Sequence, residues 1–392
     1  MNPHYDVVIV GGGIQGVTVT QAAAAQGYRV LLLEKTALAA GTSSRSSKLV
    51  HGGLRYLESG QFGLVAESLK ERADLLRLAP SLVKLTPFYI PLYRHTTRSP
   101  WRLRLGLSLY ALLARFRTGS SFHSVPRRQW DTLDGLSTSG LQHVFQYWDA
   151  QTDDQALTQA IMHSAQSLGA TLIFPAEFRQ AAIIDNQCNI EFRQNGQTHT
   201  CSANVLINAA GPWVEKVAER ISPRPTPFPV ELVQGTHLVL DGELRQGCYY
   251  LESPQDQRAI FALPWKGRIL LGTTETTYHG APENVVPLAI EERYLLDCFQ
   301  HYFPDHRISV LSRFAGLRVL PAENSAIFQR SREIYLQCDR QLKPRVIGIY
   351  GGKLTTSRAT AQKVVRLIKP SLPVRSAKAD VSRLPILPID LP

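Results

Sequence analysis

A glycine-rich turn between two apolar segments near the N terminus constrains the fold more than any other feature of this chain. The apolar run "YDVVIV" (Tyr5–Val10) ends in "GGGIQG", whose glycines Gly11, Gly13 and Gly16 fit the pattern G-x-G-x-x-G. An alanine-rich stretch then predicts a helix over about residues 14–26, and "RVLLLE" predicts a second strand. This order of strand, glycine turn, helix and strand is typical of a nucleotide-binding βαβ unit.

The positions of these glycines have a physical reason. Gly11 permits the tight turn, Gly13 lets the backbone approach a pyrophosphate, and Gly16 lets the helix pack closely on the strand. The helix, which begins at Ile14, directs free N–H groups and a partial positive charge towards phosphate. Glu34 ends the second strand, where a carboxylate can accept hydrogen bonds from an adenosine ribose. We therefore predict dinucleotide binding.

Two later stretches, together with the position of the turn, favour FAD as the dinucleotide. "VLINAAGPW" (Val205–Trp213) predicts a buried strand that ends in small residues, where larger side chains would block a cofactor. "VIGIYGGKLTTSR" (Val346–Arg358) predicts another apolar strand that breaks at Gly351–Gly352 and restarts as a helix capped by Thr355 or Thr356. That helix start would stabilise the negative charge of a reduced flavin. Each stretch alone is also compatible with an ordinary strand and turn.

The bulk composition limits the class of protein. The 392 residues are 44% hydrophobic, which is enough for two lobes, and no apolar run is long enough to predict a membrane-spanning helix. The start of the chain lacks the pattern of a secretion signal, and the five widely spaced cysteines predict reduced thiols, so we expect a cytoplasmic protein. No spacing of metal ligands is present, and we predict no metal.

The net charge of +11 at pH 7 indicates an anionic partner. Candidates are a phosphorylated substrate, a polyanionic cofactor, a lipid surface or nucleic acid. No DNA- or RNA-binding motif accompanies the charge, so nucleic acid is not expected. The stretch "SSRSSKLVHGGLRYLESG" (residues 43–60) combines hydroxyls, basic side chains and paired glycines, which is the chemistry that a phosphate-containing ligand needs.

Taken together, the motifs resemble the FAD-dependent glycerol-3-phosphate dehydrogenases from about residue 5 to about residue 366. The most specific segments are "SSKLVHGGLRYLE" and "GGKLTT"; the others include "GGGIQG", "YWDAQTDDQAL", "INAAGPWV", "VQGTHLVL", "ALPWKGRILLGTTET" and "AGLRVL". The resemblance implies an α/β flavoprotein of the two-lobed, amino-acid-oxidase-like type, with an N-terminal Rossmann-type FAD-binding lobe and a β-rich substrate lobe. Longer members carry a C-terminal helical domain, whereas this sequence ends in a Pro-rich tail, so we expect a short member.

The order of the motifs predicts discontinuous domains. The FAD-binding domain is expected at 1–80, 145–225 and 320–370, the substrate or cap domain at 81–144 and 226–319, and the tail at 371–392. The resemblance implies that Thr42 to Leu49 lie along FAD and that His51 to Tyr56 pass beneath the flavin. The implied cofactor-binding residues are Gly11, Gly13, Ile14, Gly16, Glu34, Lys35, Thr42, Ser43, Ser47, Lys48, Leu49, His51, Gly52, Gly53, Ala210, Gly211, Gly352, Lys353, Leu354 and Thr355.

The resemblance also implies a substrate site. Arg55, Arg318 and Lys353 would converge on a phosphate, and guanidinium groups bind phosphate dianions in a bidentate manner. Tyr56, Thr274 and Arg330 are further implied substrate-binding residues, although Arg332 fits the position of Arg330 equally well. From the residues alone, Arg55 could instead form a loop salt bridge, Lys48 could be solvated, and His51 could only orient the backbone.

His237 is the candidate catalytic base, with Arg318 and Lys353 as the other implied catalytic residues. It interrupts the apolar strand "VQGTHLVL" at the position of the family's active-site histidine, and its ordinary pKa suits proton transfer near neutral pH. A structural core histidine is the alternative. No cysteine falls in a cofactor motif, so we predict non-covalent FAD.

The predicted reaction is oxidation of sn-glycerol 3-phosphate to dihydroxyacetone phosphate by hydride transfer to FAD. The electrons would pass to a quinone or another acceptor. A related oxidase of an amino acid or hydroxy acid, another phosphorylated polyol as substrate, and a non-enzymatic FAD-binding protein are the alternatives.

The segment "SPWRLRLGLSLYALLARFRTG" (Ser99–Gly119) predicts an apolar helix with basic flanks at Arg102, Arg104, Arg115 and Arg117. Such a helix can lie on an anionic membrane, with arginine and tryptophan at the interface. It can equally be a buried cap helix with arginines that reach to solvent. The first alternative predicts peripheral attachment to the inner face of the cytoplasmic membrane.

Overall fold

The structure is a computed structural model that describes residues 2–115, 119–322 and 334–389. Its helices alternate with strands along the chain, as expected for an α/β protein. The helices are α1 (Ile14–Ala25), α2 (Phe62–Leu78), α3 (Pro100–Leu113), α4 (Asp154–Ser167), α5 (Val214–Ala218), α6 (Ala289–Tyr302) and α7 (Ser357–Ile368). Among the described residues, no helix is both long and apolar enough to cross a bilayer.

The strands form two sheets, one for each lobe. In chain order they are β1 (His4–Val10), β2 (Val30–Leu33), β3 (Leu49–Val50), β4 (Val83–Tyr93), β5 (Phe122–Ser124), β6 (Leu141–Thr152), β7 (Thr171–Ile173), β8 (Glu177–Ile184), β9 (Gln187–Gln194), β10 (Gln197–Asn208), β11 (Ile221–Ser222), β12 (Val230–Leu240), β13 (Cys248–Glu252), β14 (Ala259–Trp265), β15 (Arg268–Gly272), β16 (Thr276–Tyr278), β17 (Val310–Pro321), β18 (Ile334–Cys338) and β19 (Val346–Gly351).

The first sheet contains the predicted βαβ unit at its centre. Its main order is β11-β8-β9-β10-β1-β2-β7, with β19 beside β10 and β18 beside β19. The strands β2, β1, β10 and β19 run parallel to their neighbours in this series, so their carboxyl ends meet at one edge. Ligands of open parallel sheets bind at this edge. The predicted N-terminal Rossmann-type lobe is confirmed.

The second sheet is mostly antiparallel. Its order is β16-β12-β15-β14-β13-β4-β6-β3, with β17 also paired to β12 and β5 to β6. The longest pairings join β4 to β6 and β12 to β17, which bring together segments far apart in the chain. The second lobe is therefore β-rich, as predicted.

Burial explains why the N-terminal segment folds as it does. Strand β1 is buried on both faces, because α1 covers one face and residues from the β8–β10 region cover the other. Helix α1 is alanine-rich and almost wholly buried, packing between α4 and α7. Small side chains let three helices approach one another closely. The prediction of a helix over residues 14–26 is confirmed to within one residue.

The start of α7 differs in one detail from the prediction that Thr355 or Thr356 caps this helix. The helix after Gly352 exists as α7, but the Thr356 side chain at its N-cap position forms no capping hydrogen bond. The Thr355 hydroxyl instead accepts a hydrogen bond from the backbone N–H of His51, at 3.2 Å. Thr356 therefore takes the N-cap position, as predicted, but without a side-chain capping bond, and Thr355 links the start of α7 to the loop after β3.

The predicted domain limits cut through two strands of the second sheet. The limit at residue 145 falls inside β6, and the limit at residue 320 falls near the end of β17.

The C-terminal tail packs on the first lobe. The Lys378 N–H donates to the Ala25 carbonyl, and the buried Ile386 donates its N–H to the Leu78 carbonyl.

Candidate active site

A cavity of about 860 Å³ lies between the carboxyl edge of the first sheet and the second sheet. Residues of the glycine turn line one end, and residues of β12, β17 and the β15–β16 connection line the other. Its volume is near the upper end of ordinary ligand pockets, as a dinucleotide with an adjacent substrate requires. The cavity therefore joins the predicted cofactor and substrate regions.

The glycine turn has the geometry of a phosphate cradle. Gly11 has φ +112°, and a Cβ there would lie 2.6 Å from the Ala209 carbonyl oxygen, so no other residue fits. At Gly16 a Cβ would overlap the Gly11 carbonyl oxygen. Helix α1 begins just after the turn, with the Ile14 N–H donating to Ser43 Oγ at 2.8 Å. The turn therefore directs a helix N terminus into the cavity.

Glu34, the predicted ribose ligand, lies beside this glycine turn. Its Oε2 accepts a hydrogen bond from the Gly12 N–H at 2.7 Å, and its Oε1 accepts from the Thr36 N–H at 2.8 Å. Oε1 also accepts from Thr36 Oγ1 at 3.1 Å. An ionised carboxylate can accept about four hydrogen bonds, two at each oxygen, so Oε2 keeps the capacity to bind a ribose hydroxyl. The bonds to the turn also fix the carboxylate in orientation.

The loop after β2 crosses from the first lobe to the second. Thr42 Oγ1 donates to the Leu317 carbonyl of β17 at 2.6 Å, and Ser47 Oγ lies 2.9 Å from His237 Nε2 of β12. Gly53 adopts φ +76°, which allows the chain to turn before Arg55. These contacts hold the loop along the cavity wall.

Two predicted cofactor residues of this loop, Lys48 and Gly52, lie outside the cavity lining and bond to neighbouring elements. Lys48 is buried and its Nζ lies 2.6 Å from Asp154 Oδ1, so the alternative of a solvated lysine is excluded. The Gly52 N–H donates to Tyr110 Oη at 2.9 Å, and that hydroxyl donates to Asp149 Oδ2 at 2.7 Å. Burial raises the pKa of Asp149, while the neighbouring Arg72 opposes that rise.

The predicted substrate end of the cavity contains three guanidinium groups around the carboxylate of Glu275. Glu275 Oε1 lies 3.4 Å from Arg318 Nη1 and 4.0 Å from Arg55 Nη2, and its Oε2 lies 4.0 Å from Arg258 Nη1. The Glu275 side chain is 6% exposed, whereas the arginine side chains are 20–28% exposed towards the cavity. Arg258 also pairs with Asp256, whose Oδ2 lies 3.0 Å from Arg258 Nε, so two carboxylates face three guanidinium groups. The cluster keeps one net positive charge, which attracts a further anion.

Lys353 is a fourth cation on the wall of the cavity. It follows the break between β19 and α7, and its Nζ lies 3.9 Å from the centre of the Tyr56 ring, where a cation–π interaction holds it. Gln15 Nε2 donates to the Lys353 carbonyl at 3.3 Å and so ties this segment to the start of α1. Phosphate dianions need several cations once they leave water, and this end of the cavity supplies them.

His237 lies beside this cluster on β12. It is 2% exposed, stacks on the Phe314 ring at a centroid distance of 5.0 Å, and bonds to Ser47 through Nε2. Burial, with Arg318 and Lys48 nearby, holds the pKa of His237 well below its usual range. The imidazole is therefore neutral at physiological pH and able to accept a proton.

Most of the predicted site residues line this one cavity. They are Gly11, Gly13, Ile14, Glu34, Lys35, Thr42, Ser43, Ser47, Leu49, His51, Gly53, Arg55, Tyr56, Ala210, Gly211, His237, Arg318, Gly352, Lys353, Leu354 and Thr355.

Four predicted residues have another position. Gly16, Lys48 and Gly52 are not part of the cavity lining and support it from behind. Thr274 is buried with its hydroxyl donating to Glu291 Oε1 at 2.8 Å, while its carbonyl oxygen lies 3.4 Å from Arg318 Nη1. Arg330 lies outside the described residues, as does its alternative Arg332.

Sequence reasoning missed Arg258 and Gly235. Arg258 lies in the hairpin between β13 and β14, where no motif marks it, and joins the cluster through Glu275. A Cβ at Gly235 would lie 2.8 Å from Arg318 Nη2, so this glycine makes room for the guanidinium over the strand. The glycine in "VQGTHLVL" was a visible signal, since an isolated glycine in a strand often marks a close approach.

The residues present fit FAD. The glycine cradle and the start of α1 suit a pyrophosphate, Glu34 suits a ribose, and the segment of small residues at Ala210 and Gly211 leaves the cavity open. The start of α7, beside Gly352, directs a second helix N terminus to the same cavity. Two helix termini on one cavity suit a ligand with two electron-rich regions.

Comparison with known proteins agrees with the fit of these residues to FAD. The family described as FAD dependent oxidoreductase matches residues 6–367. The chain is 34% identical over 381 residues to the glycerol-3-phosphate dehydrogenase of Pseudomonas aeruginosa, covering 93% of this chain and 72% of that protein. It is also 34% identical over 380 residues to the D-erythritol 1-phosphate dehydrogenase of Brucella abortus, covering 94% of this chain and 74% of that protein.

A solved structure gives the same result for the fold. The glycerol-3-phosphate dehydrogenase from Bacillus halodurans, complexed with FAD, superposes with a TM-score of 0.74 at 26% sequence identity. The match covers 97% of this chain and 69% of that one. The predicted two-lobed flavoprotein fold and the predicted cofactor, FAD, are both confirmed.

Proposed function

This chain belongs to the family of FAD-dependent oxidoreductases, and we propose that it oxidises the secondary hydroxyl of a small phosphorylated polyol. The first candidate substrate is sn-glycerol 3-phosphate, which would yield dihydroxyacetone phosphate. The observation that carries the proposal is the cluster of Arg55, Arg258, Arg318 and Lys353 at one end of the FAD cavity. Relatives named glycerol-3-phosphate dehydrogenase support the same class of substrate.

FAD would be held without a covalent bond by the glycine turn, Glu34, Ser43 and the start of α7. When bound, FAD supplies the acceptor for the hydride that leaves the carbinol carbon. The chain itself would bind the phosphate through the cation cluster, exclude water from the buried end of the cavity, and accept the hydroxyl proton through His237. The neutral state of His237 is what a base requires.

The two other classes of function account for fewer features. An amino acid or hydroxy acid presents a carboxylate with one negative charge, whereas the four cations of the cluster, balanced in part by Glu275 and Asp256, leave two net positive charges. A non-enzymatic FAD-binding protein would not need a buried neutral histidine beside these cations. Both alternatives predict no reduction of the flavin by phosphorylated polyols.

A longer polyol phosphate is the second candidate substrate. Its support is the relative from Brucella abortus, which is as similar to this chain as the Pseudomonas aeruginosa relative and is named for D-erythritol 1-phosphate. Glycerol 3-phosphate and D-erythritol 1-phosphate share the phosphate and the adjoining secondary hydroxyl. The cation cluster suits both.

The proposal is tested by anaerobic mixing of the purified flavoprotein with single substrates. Loss of the visible absorbance of oxidised flavin with sn-glycerol 3-phosphate or D-erythritol 1-phosphate, but not with glycerol, lactate or glycine, is the expected result. The faster of the two phosphates identifies the preferred substrate. Bleaching by glycine or lactate alone would refute the proposal.

Release of FAD by acid or heat tests its non-covalent binding, and flavin that stays on the denatured chain would contradict it.

Helix α3 supports peripheral contact with a membrane, from which a quinone could take the electrons. Leu103, Leu107 and Tyr110 face the protein and are buried. The opposite face presents Trp101, Leu105 and Leu112, which are 70%, 58% and 57% exposed. Arg102, Arg104 and Arg115 are exposed beside them, and Arg117 lies outside the described residues. The helix is thus buried on one face only, and its outer face has the composition of an interfacial helix.

Vesicle sedimentation tests this contact. With anionic vesicles, the protein is expected to sediment at low salt and to be released as salt rises, because the arginines lose their attraction to headgroups. The double variant Trp101→Ser/Leu105→Ser should bind less than the wild type at every salt concentration. Leu342→Ser is the matched control, since Leu342 is 84% exposed on another surface. Equal recovery of wild type and double variant would exclude α3 as the contact.

A further inference from the structure

We propose that Ser47 is a proton-relay residue that passes the proton of the substrate hydroxyl to His237. The inference rests on the proposed function, since it concerns the proton released when a phosphorylated polyol is oxidised. It assigns a step to the Ser47 hydroxyl, which lines the cavity and lies 2.9 Å from His237 Nε2.

The burial of His237 is the first reason. The residue is 2% exposed, and its Nδ1 is buried with no hydrogen-bond partner among the described residues. The other ring nitrogen, Nε2, is the atom bonded to Ser47. The Cδ2 edge of the ring lies against Gly272, where a Cβ would come within 2.3 Å of it. The imidazole borders the cavity but is almost wholly covered, and its hydrogen-bonded nitrogen contacts the half-buried Ser47, which lines the same cavity.

The register of the sheet gives the second reason. On β12 and β17, His237 pairs with Phe314 and Gly235 pairs with Gly316, so these four residues share one face. The Arg318 guanidinium extends back over Gly235, the neighbour of His237 on that face. Gly235 and His237 are about 7 Å apart along the strand. A phosphate bound by Arg318 would thus carry its adjoining hydroxyl towards the Ser47–His237 pair.

The electrostatics give the third reason. The cations that bind phosphate also disfavour a proton on His237, and Arg318 is one cause of its lowered pKa, after burial. A dianion bound at Arg318 offsets that positive charge. The histidine therefore becomes more basic when the substrate is in place, which is when the proton has to be accepted.

The relay balances the reaction. The substrate O–H bond breaks and its proton passes to Ser47 Oγ, while the Ser47 proton passes to His237 Nε2. The carbinol C–H bond breaks, and its hydrogen leaves with the bonding pair to FAD, the oxidant of this family. The carbonyl bond forms, and the products are a ketone, an imidazolium and reduced cofactor. Ser47 itself is unchanged after the transfer.

The resting arrangement can be tested without turnover. Nitrogen NMR of histidine-labelled protein, with His237→Ala to assign the signal, reports which ring nitrogen carries the proton. The relay requires a neutral ring protonated at Nδ1, with Nε2 accepting from the Ser47 hydroxyl. In Ser47→Ala the Nε2 signal should shift, because that hydrogen bond is lost. A wild-type ring protonated at Nε2, or a spectrum unchanged in Ser47→Ala, would overturn the relay.

Rapid-mixing kinetics provide the second test. At saturating sn-glycerol 3-phosphate, Ser47→Ala should slow flavin reduction by about 100-fold with substrate affinity nearly unchanged, since proton transfer acts in the transition state. Ser47→Thr keeps the hydroxyl and should restore most of the rate. Ser167→Ala is the control, because the exposed Ser167 hydroxyl bonds to the His163 carbonyl and Ser167 does not line the cavity.

A double variant separates the relay from an independent role of Ser47. Because both groups act in series, Ser47→Ala/His237→Ala should be no slower than His237→Ala. Losses that multiply would overturn the relay. If the wild type is not reduced by either phosphorylated polyol, the proposed function fails and the relay fails with it. If the wild type is reduced normally and Ser47→Ala reacts at the wild-type rate, the relay alone fails.

Discussion

The Glu275 carboxylate lies 3.4 Å from the Arg318 guanidinium, in a position where the side chain of Glu275 is almost fully buried. A buried carboxylate among arginines reduces the electrostatic repulsion between their guanidinium groups in the protein without substrate. It also fixes the direction of Arg318, whose Nη2 is bonded to Thr273 Oγ1 at 3.2 Å. The cation cluster is therefore held in place by an internal anion before any ligand binds.

Arg318→Ala should weaken the binding of sn-glycerol 3-phosphate by about 2–4 kcal/mol while FAD stays bound, because a charge-assisted hydrogen bond to a desolvated dianion is lost. Substrate affinity from flavin reduction rates measures this. Arg313→Ala is the matched control: it lies on the same strand, but its guanidinium is exposed and pairs with Glu292. Unphosphorylated glycerol should lose little further in Arg318→Ala. An equal loss for glycerol and its phosphate would show that Arg318 is not a phosphate ligand.

Glu34→Ala should reduce FAD affinity by about 1–3 kcal/mol, because a buried ribose hydroxyl would lose its acceptor. The carboxylate also holds the Gly12 N–H, so the glycine turn should loosen as well. Titration of the apoprotein with FAD measures the dissociation constant. Glu34→Gln keeps one acceptor oxygen and should bind FAD with an intermediate affinity. An unchanged constant in Glu34→Ala would mean that Glu34 does not bind the ribose.

The local features of the cofactor half could be predicted from the sequence. The glycine turn, the limits of α1 and the acid at the end of β2 follow from short-range rules, because each depends on residues within one βαβ unit. The break after β19 was equally visible, since Gly351 and Gly352 interrupt an apolar run. The family resemblance added the residues of the substrate side.

The contacts between distant segments could not be predicted in this way. Ser47 and His237 are separated by 190 positions, and their hydrogen bond depends on the crossing of the two lobes. Lys48 is a predicted cofactor-binding residue for which the sequence also allows a solvated position, yet folding buries it against Asp154. Arg258 joins the cluster because the antiparallel pairing of β14 and β15 brings it near Glu275. Periodicity and motifs carry no information on such registers.

The pH dependence of flavin reduction should reflect the lowered pKa of His237. A base works when unprotonated, and burial together with Arg318 and Lys48 moves its protonation to more acidic pH. With substrate well below saturation, where the rate reports the free enzyme, the second-order rate constant for flavin reduction should therefore stay level as pH falls from 7.5 to about 6.5, the ordinary histidine pKa, and decline only below it. A rate that halves near pH 6.5 would contradict a buried neutral base. His237→Ala should be slow throughout and lack this decline.

The last prediction concerns the hydrogen bonds that hold the loop after β3 in place. Tyr110 on α3 donates its hydroxyl proton to Asp149 Oδ2 and accepts the Gly52 N–H, and Asp149 pairs with the buried Arg72 at 2.7 Å. Tyr110→Phe leaves a buried carboxylate oxygen and a buried N–H without this partner. The free energy of unfolding, measured in urea with FAD saturating, should fall by about 1–3 kcal/mol.

The control for this change is Tyr278→Phe, which removes a hydroxyl bonded to the Ala281 carbonyl close to solvent and should cost less than about 0.5 kcal/mol. FAD affinity provides a second measurement, because the Gly52 N–H fixes the loop that lies along the cavity. Tyr110→Phe should weaken FAD binding, whereas Tyr278→Phe should not. Equal stability and equal FAD affinity of the two variants would show that the Tyr110 hydroxyl does not hold the loop in place.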